Sequence, residues 1–189
     1  MDNRKIKIWF TSDSHFSHNK EFLYGTRGFN TVEEMNTEII KRWNAKVAPN
    51  DIVYHLGDIF LSDTETGLSA FKQLNGQFHI IRGNHDTDAK VELLKKCPNI
   101  IDIQWATMIK YKKIMFFLSH CPSITRTLDD SENKQGIINL YGHTHQTTNF
   151  YNDNPYMYHV GMDSHNLEPV ELDKIIDEIK IKKTQLDNQ

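Results

Sequence analysis

The chain alternates short apolar runs with longer stretches in which apolar positions recur every three or four residues, the pattern of an α/β protein. Ile6 to Thr11 reads as a first strand and Ile52 to Leu56 as a second. Between them, Thr31-Val-Glu-Glu is a capping-box sequence, with Thr31 at the N-cap and Glu34 three residues on. Met35, Ile39, Ile40 and Trp43 follow at helical spacing, which predicts a helix reaching Val47 before Pro49-Asn50-Asp51 breaks it. Leu68, Phe71, Lys72 and Leu74 mark a second helix ending near Gly76, and Phe78 to Ile81 a third strand. Asp88 to Lys96 reads as a short helix stopped before Pro98, and residues 100–118 as two strands turning at Tyr111-Lys112-Lys113. Ile137 to Tyr141 and Tyr156 to Val160 are further strands. Pro169 to Lys182 closes the chain as a helix with Val170, Leu172, Ile175, Ile176 and Ile179 on its apolar face. No repeat, low-complexity tract or linker interrupts the pattern, so residues 1–189 read as one domain.

Composition changes this picture only at a few points. At 189 residues and 38% hydrophobic content the chain can bury a core without covalent staples. Its two cysteines, Cys97 and Cys121, have no paired spacing, which fits a reducing, cytoplasmic setting. The N-terminal apolar run is too short for a signal peptide, and no window approaches a membrane span. A net charge of -3 argues against a basic surface for long nucleic acids. It does not exclude a nucleotide substrate, because bound cations would add local positive charge that counting residues misses. Ten histidines are the unusual count, and their positions carry the chemistry.

Five apolar runs end in residues that can bind metal. Asp13-Ser14-His15 follows the first strand, Gly57-Asp58 the second, and Gly83-Asn84-His85-Asp86 the third. Ser119-His120 follows Met115-Phe-Phe-Leu, and Gly142-His143-Thr144-His145 follows Ile137 to Tyr141. Ligands of α/β sheets bind beyond the carboxyl ends of the strands, so these segments are expected to meet in one crevice. Glycine before three of the groups permits sharp turns and close backbone approach. Carboxylate, imidazole and amide donors without thiolate suit Mn²⁺, iron, Zn²⁺ or Ni²⁺ better than a soft-metal or purely calcium site, with Mn²⁺ the expected ion in vitro. There are enough donors for two ions sharing a carboxylate, the arrangement that clamps both oxygens of a phosphoryl displacement and supplies hydroxide at neutral pH.

The order Asp-x-His, Gly-Asp, Gly-Asn-His-Asp, His, Gly-His-x-His resembles the calcineurin-like metallophosphoesterase superfamily, from Asp13 to His145. The resemblance implies a four-layer αββα sandwich, two mixed sheets packed face to face and flanked by helices. It implies that Asp13, His15 and His145 hold one metal, that Asn84, His120 and His143 hold the second, and that Asp58 bridges them. His85 would contact the phosphate and protonate the leaving oxygen. The segments His15-Phe-Ser-His-Asn19, Arg27-Gly-Phe29, Val160-Gly-Met-Asp163 and Pro169-Val170-Glu-Leu look like small single-domain phosphoesterases of bacteria and phages. Asp58 is followed by Ile-Phe-Leu-Ser rather than the Asp-Arg-Gly turn of the serine/threonine protein phosphatases, which puts protein dephosphorylation in doubt and leaves His85 without an orienting partner.

The expected activity is hydrolysis of a small phosphate ester, preferentially a nucleotide-like phosphodiester, by metal-bridged hydroxide. A phosphomonoesterase, a nuclease and a non-catalytic metal scaffold stand as alternatives. His18 and Asn19, on the loop after the first ligands, and Arg27, whose guanidinium fork matches phosphate oxygens, are candidate substrate contacts. Arg82 and Arg126 are weaker candidates of the same kind. His55, His79, His159 and His165 are expected to be packed, hydrogen-bonded residues, Cys121 a bystander thiol, and Asp129, Asp130 and Glu132 a solvated loop.

Overall fold

The computed structural model describes residues 4–123 and 136–188; Arg126, Asp129, Asp130 and Glu132 lie outside the described residues. Among the described residues, nine strands form two mixed sheets. In the first, β3 (Gln77–Ile81) and β2 (Ile52–His55) lie beside β1 (Ile8–Thr11), and β4 (Ile100–Gln104) adds to the edge. These four run parallel, and β9 (Val170–Glu171) closes the other edge antiparallel to β1. The second sheet orders β5 (Ala106–Tyr111), β6 (Ile114–Ser119), β7 (Ile137–Tyr141) and β8 (Met157–His159). Its hairpin β5–β6 turns at Lys112 and Lys113, both at positive φ, as a tight hairpin needs.

Alternation along the strands gives each face of the first sheet its own core. Trp9, Val53, Phe78 and Ile80 meet Met35, Ile39 and Trp43 of α2 (Val32–Lys46), Phe71 of α3 (Thr64–Phe71), Leu94 of α4 (Asp88–Leu94) and Leu23 of α1 (Glu21–Tyr24). Phe10, Leu56 and Ile81 point the other way and pack with Phe116, Leu118, Ile138, Leu140 and Tyr158 of the second sheet. Ile175, Ile176 and Ile179 of α5 (Leu172–Asp187) join that second core. The expected α/β arrangement of two mixed sheets with flanking helices is thus present.

Three local details depart from the sequence reading. The run 100–118 holds three strands: it breaks at Trp105, where the chain leaves the first sheet for the second. Val170 belongs to β9 and not to the last helix, because its backbone pairs with Phe10. Helix α1 carries no periodic signal in its four residues and was not expected. The capping box at α2 forms in a shifted version: Thr31 accepts from Glu34 N–H, while the Glu34 carboxylate takes the N–H of Asn30.

Asp51, at the foot of β2, ties the N-terminus to the first sheet. Its buried carboxylate accepts hydrogen bonds from Arg4 at 2.7 and 2.9 Å, from Lys7 N–H at 3.0 Å, from the Trp9 indole at 2.9 Å and from Ala48 N–H at 3.1 Å. Burial alone would raise its pKa, but these donors outweigh burial and hold the carboxyl well below its usual range. A depressed carboxyl stabilises the fold above its ordinary pKa of about 3.9, and that contribution is lost as pH falls through the folded value. Asp51→Asn is therefore expected to cost about 2–3 kcal/mol at pH 7, as charged hydrogen bonds are lost. It should also flatten the acid decline of stability below about pH 4. Urea melts at pH 7 and pH 3 measure both effects; equal acid slopes for the two proteins would contradict the assignment.

Candidate metal centre

The strand-end motifs converge because hydrogen bonding continues past the sheet. Beyond β1 and β2, Asp13 N–H donates to Gly57 O at 2.9 Å, His15 N–H to Asp58 O at 3.1 Å and Phe16 N–H to Ile59 O at 3.0 Å. Beyond the second sheet, Gly142 N–H donates to His120 O at 2.9 Å, and Met162 N–H reaches across to Ser12 O at 3.1 Å. Five of the seven expected ligands, Asp13, His15, Asp58, His143 and His145, have positive φ between 48° and 67°. Such backbone costs roughly 1–3 kcal/mol per residue and persists only where its surroundings over-determine it. Gly57, at φ +94° and packed against Gly83 backbone and the His120 ring, has no room for a side chain.

Asp13, His15 and His145 form one group of donors, and Asp13, Asp58 and His120 a second. His15 Nε2 is 3.8 Å from Asp13 Oδ1, His145 Nε2 is 3.9 Å from the same oxygen, and the two Nε2 atoms are 3.1 Å apart. Asp58 Oδ2 lies 3.4 Å from His120 Nε2 of its own group and 3.8 Å from His15 Nε2 of the first. Asn84 Oδ1 is 2.9 Å from both His120 Nε2 and His143 Nδ1. All seven expected ligands thus stand in one crevice.

Each carboxylate spends one oxygen on the scaffold and keeps the other. Asp13 Oδ2 accepts from Ser12 Oγ–H at 2.6 Å and His143 N–H at 2.9 Å, while its buried Oδ1 has no hydrogen-bond partner among the described residues. Asp58 Oδ1 accepts from His85 N–H at 2.9 Å, leaving Oδ2 to the crevice. The histidines are oriented similarly: His120 Nδ1–H donates to Leu56 O at 2.7 Å, and His145 Nδ1–H to Asp163 Oδ2 at 2.7 Å. Each turns Nε2 inward, the usual arrangement of metal-binding imidazoles.

Electrostatics agree with that donor set. Burial raises the Asp13 carboxyl and lowers His15 to about 2, so His15 is neutral and able to bind a cation. Burial would also lower His120, but Asp58 and Asp13 outweigh it and push the ring up to about 9. The hydrogen bond to Asp163 raises His145. Buried carboxylates that draw protons onto neighbouring imidazoles mark a crevice that calls for positive charge. The orphaned Asp13 Oδ1 and the converging Nε2 atoms fit a metal ion with hard and borderline ligands.

The model of the calcineurin-like phosphoesterase superfamily domain matches residues 6–166. The chain belongs to that superfamily. It is 34% identical to the uncharacterized protein MJ1445 of Methanocaldococcus jannaschii, over 90% of this chain and 89% of that protein. The Gene 66 protein of Mycobacterium phage D29 is 27% identical over 87% of this chain and 92% of its own length. In fold, the phosphoesterase is similar to the protein of unknown function AQ665 from Aquifex aeolicus, with a TM-score of 0.67 and 21% identity over 93% of this chain and all of that one.

Around the phosphoesterase crevice stand residues that sequence reasoning left without a role. Buried Asp86 accepts from Asp58 N–H at 2.9 Å and Gly83 N–H at 2.8 Å, holding the second and third motifs together. Lys90 Nζ caps the Phe60 and His85 carbonyls at 2.8 and 2.9 Å. Arg27 is corrected from a phosphate clamp to a brace. Its side chain is 2% exposed, its Nε and Nη2 grip Asp163 at 2.8 and 3.1 Å, and Nη2 and Nη1 donate to the Asp13 and Ser14 carbonyls at 2.7 and 3.0 Å. The remaining Nη1 hydrogen faces Met35 Sδ at 3.7 Å, so no donor is left for a phosphate. The only advance signal for Asp163 was its place in Val160-Gly-Met-Asp163.

His18 lines a cavity of about 910 Å³ beside the crevice, together with His15, His85 and His145. Asn19 is exposed and outside that wall, so it is not brought to the site. Arg82 is also engaged elsewhere, donating to the Asp86 carbonyl and to Asp88. The four histidines expected to be packed residues are hydrogen-bonded: His55 to Ser14, His79 to Asp102, His159 to Ser164 and His165 to the His159 carbonyl.

Asp163→Ala removes the acceptor of His145 and the counter-charge of buried Arg27 at once. An uncompensated buried charge costs about 3–5 kcal/mol, which denaturant melts of chelator-treated protein should reveal. Loss of the carboxylate behind a metal-binding histidine should weaken metal affinity about 10- to 100-fold, measured by metal titration. An unchanged affinity would mean that Asp163 serves the fold alone.

Proposed function

We propose that this phosphoesterase hydrolyses phosphodiesters at a two-metal centre. Asp13, His15 and His145 would hold one cation and Asn84, His120 and His143 the other, with Asp58 shared. The observation that carries the reading is the position of Asp58 Oδ2, within 4 Å of a histidine from each group. When bound, the cations would neutralise charge on the phosphoryl oxygens and make water nucleophilic at neutral pH.

The protein's own groups supply the rest. His85 is exposed beside His15, ring centroids 5.8 Å apart, and its backbone is fixed by the Asp58 carboxylate. In this reading it hydrogen-bonds the substrate and passes a proton to the departing alkoxide. Among the described residues no side chain is hydrogen-bonded to its ring, so the substrate itself completes its orientation. The large cavity alongside has room for the organic group that a diester keeps after its leaving group departs. Only Arg27 and Arg42 bring permanent positive charge to the described wall, and Arg27 is fully engaged, which weighs against a long nucleic-acid polymer.

The deciding experiment is hydrolysis of bis-p-nitrophenyl phosphate and p-nitrophenyl phosphate by metal-stripped protein, with and without Mn²⁺. Manganese-dependent turnover favouring the diester is expected. Preference for the monoester would replace this reading with a phosphomonoesterase, and inertness toward both with two metals bound would revive the scaffold.

A further inference from the structure

We propose that the cavity beside the metal centre is a subsite for the nucleoside of a nucleotide-like diester, an inference that rests on the phosphodiesterase reading. At its reactive end stand the histidines of the crevice. Next to them, on α1, Phe22 is 69% exposed although its neighbour Leu23 is buried in the core. Phe22 belongs to neither hydrophobic core, so packing does not account for an aromatic ring at this position. Its ring meets that of His18 at 88°, centroids 5.6 Å apart, and the two form a corner. A flat ring placed in that corner stacks on one and meets the other edge-on, the two favourable aromatic geometries. Leu61 and Met162 add apolar wall.

The remaining wall mixes Leu23 and Leu167 with polar side chains and the charged Arg27, Asp163 and Arg42. Arg42 Nε is held by Glu38 at 2.9 Å and Nη1 by the Asn166 carbonyl at 2.9 Å, while Nη2 has no hydrogen-bond partner among the described residues. A guanidinium edge and the Asn166 amide suit the carbonyl oxygens and ring nitrogens of a base. With every N–H of Arg27 engaged, the wall offers no second permanently charged donor for a polyphosphate chain among the described residues. Aromatic corner, apolar wall and one free guanidinium edge describe a place for a flat, uncharged, hydrogen-bonding group.

The test compares p-nitrophenyl thymidine 5′-phosphate with ethyl p-nitrophenyl phosphate on the manganese-loaded protein; both release the same phenolate. The KM for the thymidine ester should be about tenfold lower, a typical worth of one stacked base. Phe22→Ala and Arg42→Gln should each remove most of that advantage while leaving turnover of the ethyl ester unchanged. Phe22 is exposed, so its removal does not threaten folding. Equal KM values in the native protein, or a thymidine preference that survives both substitutions, would overturn the subsite. Calorimetric binding of thymidine 5′-monophosphate to the loaded protein gives an answer independent of turnover. Binding weakened by Phe22→Ala, with neither ester hydrolysed, would keep the subsite and sink the diesterase reading; no binding and no turnover would sink both.

Discussion

Asp58→Ala is expected to lower Mn²⁺-dependent diester hydrolysis by about a thousandfold or more. Charge stabilisation by a catalytic cation contributes several kcal/mol, and each 1.36 kcal/mol is about a factor of ten in rate. In the proposed arrangement loss of Asp58 would touch both cation positions, since its Oδ2 lies within 4 Å of the Nε2 atoms of His15 and His120. Its other oxygen holds His85 N–H, so the same substitution also releases the backbone that carries the proposed acid. The measurement pairs initial rates with metal content. The expected protein is folded, nearly inactive and depleted in metal, and Asp58→Asn should lie between it and the native enzyme. Activity within a few-fold of native would refute the shared-carboxylate arrangement.

His85→Ala is expected to lower turnover by about 10²–10⁴-fold for alkyl diesters, the usual contribution of general acid–base catalysis. The loss should be much smaller for nitrophenyl esters, because nitrophenolate departs without help from a proton. Metal content should not change, since the His85 ring is not among the donor groups of the crevice and only its backbone touches Asp58. Rates for bis-p-nitrophenyl phosphate and for a thymidine dinucleotide, measured side by side, separate the two effects. Equal losses on both substrates would make His85 a phosphate contact and not the acid; loss of metal would make it part of the scaffold.

Much of the crevice could be read along the chain because its chemistry is local. Asp13-Ser14-His15, Gly83-Asn84-His85-Asp86 and Gly142-His143-Thr144-His145 each pack several donors into a few residues after an apolar run. A strand that ends in such a group must deliver it to the edge of its sheet, and parallel strands deliver theirs to the same edge. The hairpin at Lys112 and Lys113 and the N-cap at Thr31 were equally legible, since turn and cap chemistry act within four residues. The break at Trp105 was not. Residues 100–111 are a continuous β-favouring run, and the partner strand, not the run itself, assigns Ile103 to one sheet and Thr107 to the other. Val170 reads as helix for the same reason: its spacing with Leu172 and Ile176 is compatible with a helix, but pairing with Phe10 claims its backbone.

The sequence by itself determined which donors are present, the order in which strands deliver them and the superfamily that uses that order. Only the tertiary structure decided what stands behind and beside them. Arg27 and Asp163 are 136 positions apart, and neither carries a local sign that one neutralises the other. Left to its residue type, Arg27 reads as a phosphate ligand; burial against Asp163 and the Asp13 and Ser14 carbonyls makes it a brace. The cavity has the same origin, for its wall draws Phe22, Arg42, Leu61 and Asn166 from separate segments. Donor identity is a property of a residue, whereas the charge, exposure and free hydrogen-bonding capacity of that residue belong to its neighbours, and folding alone chooses them.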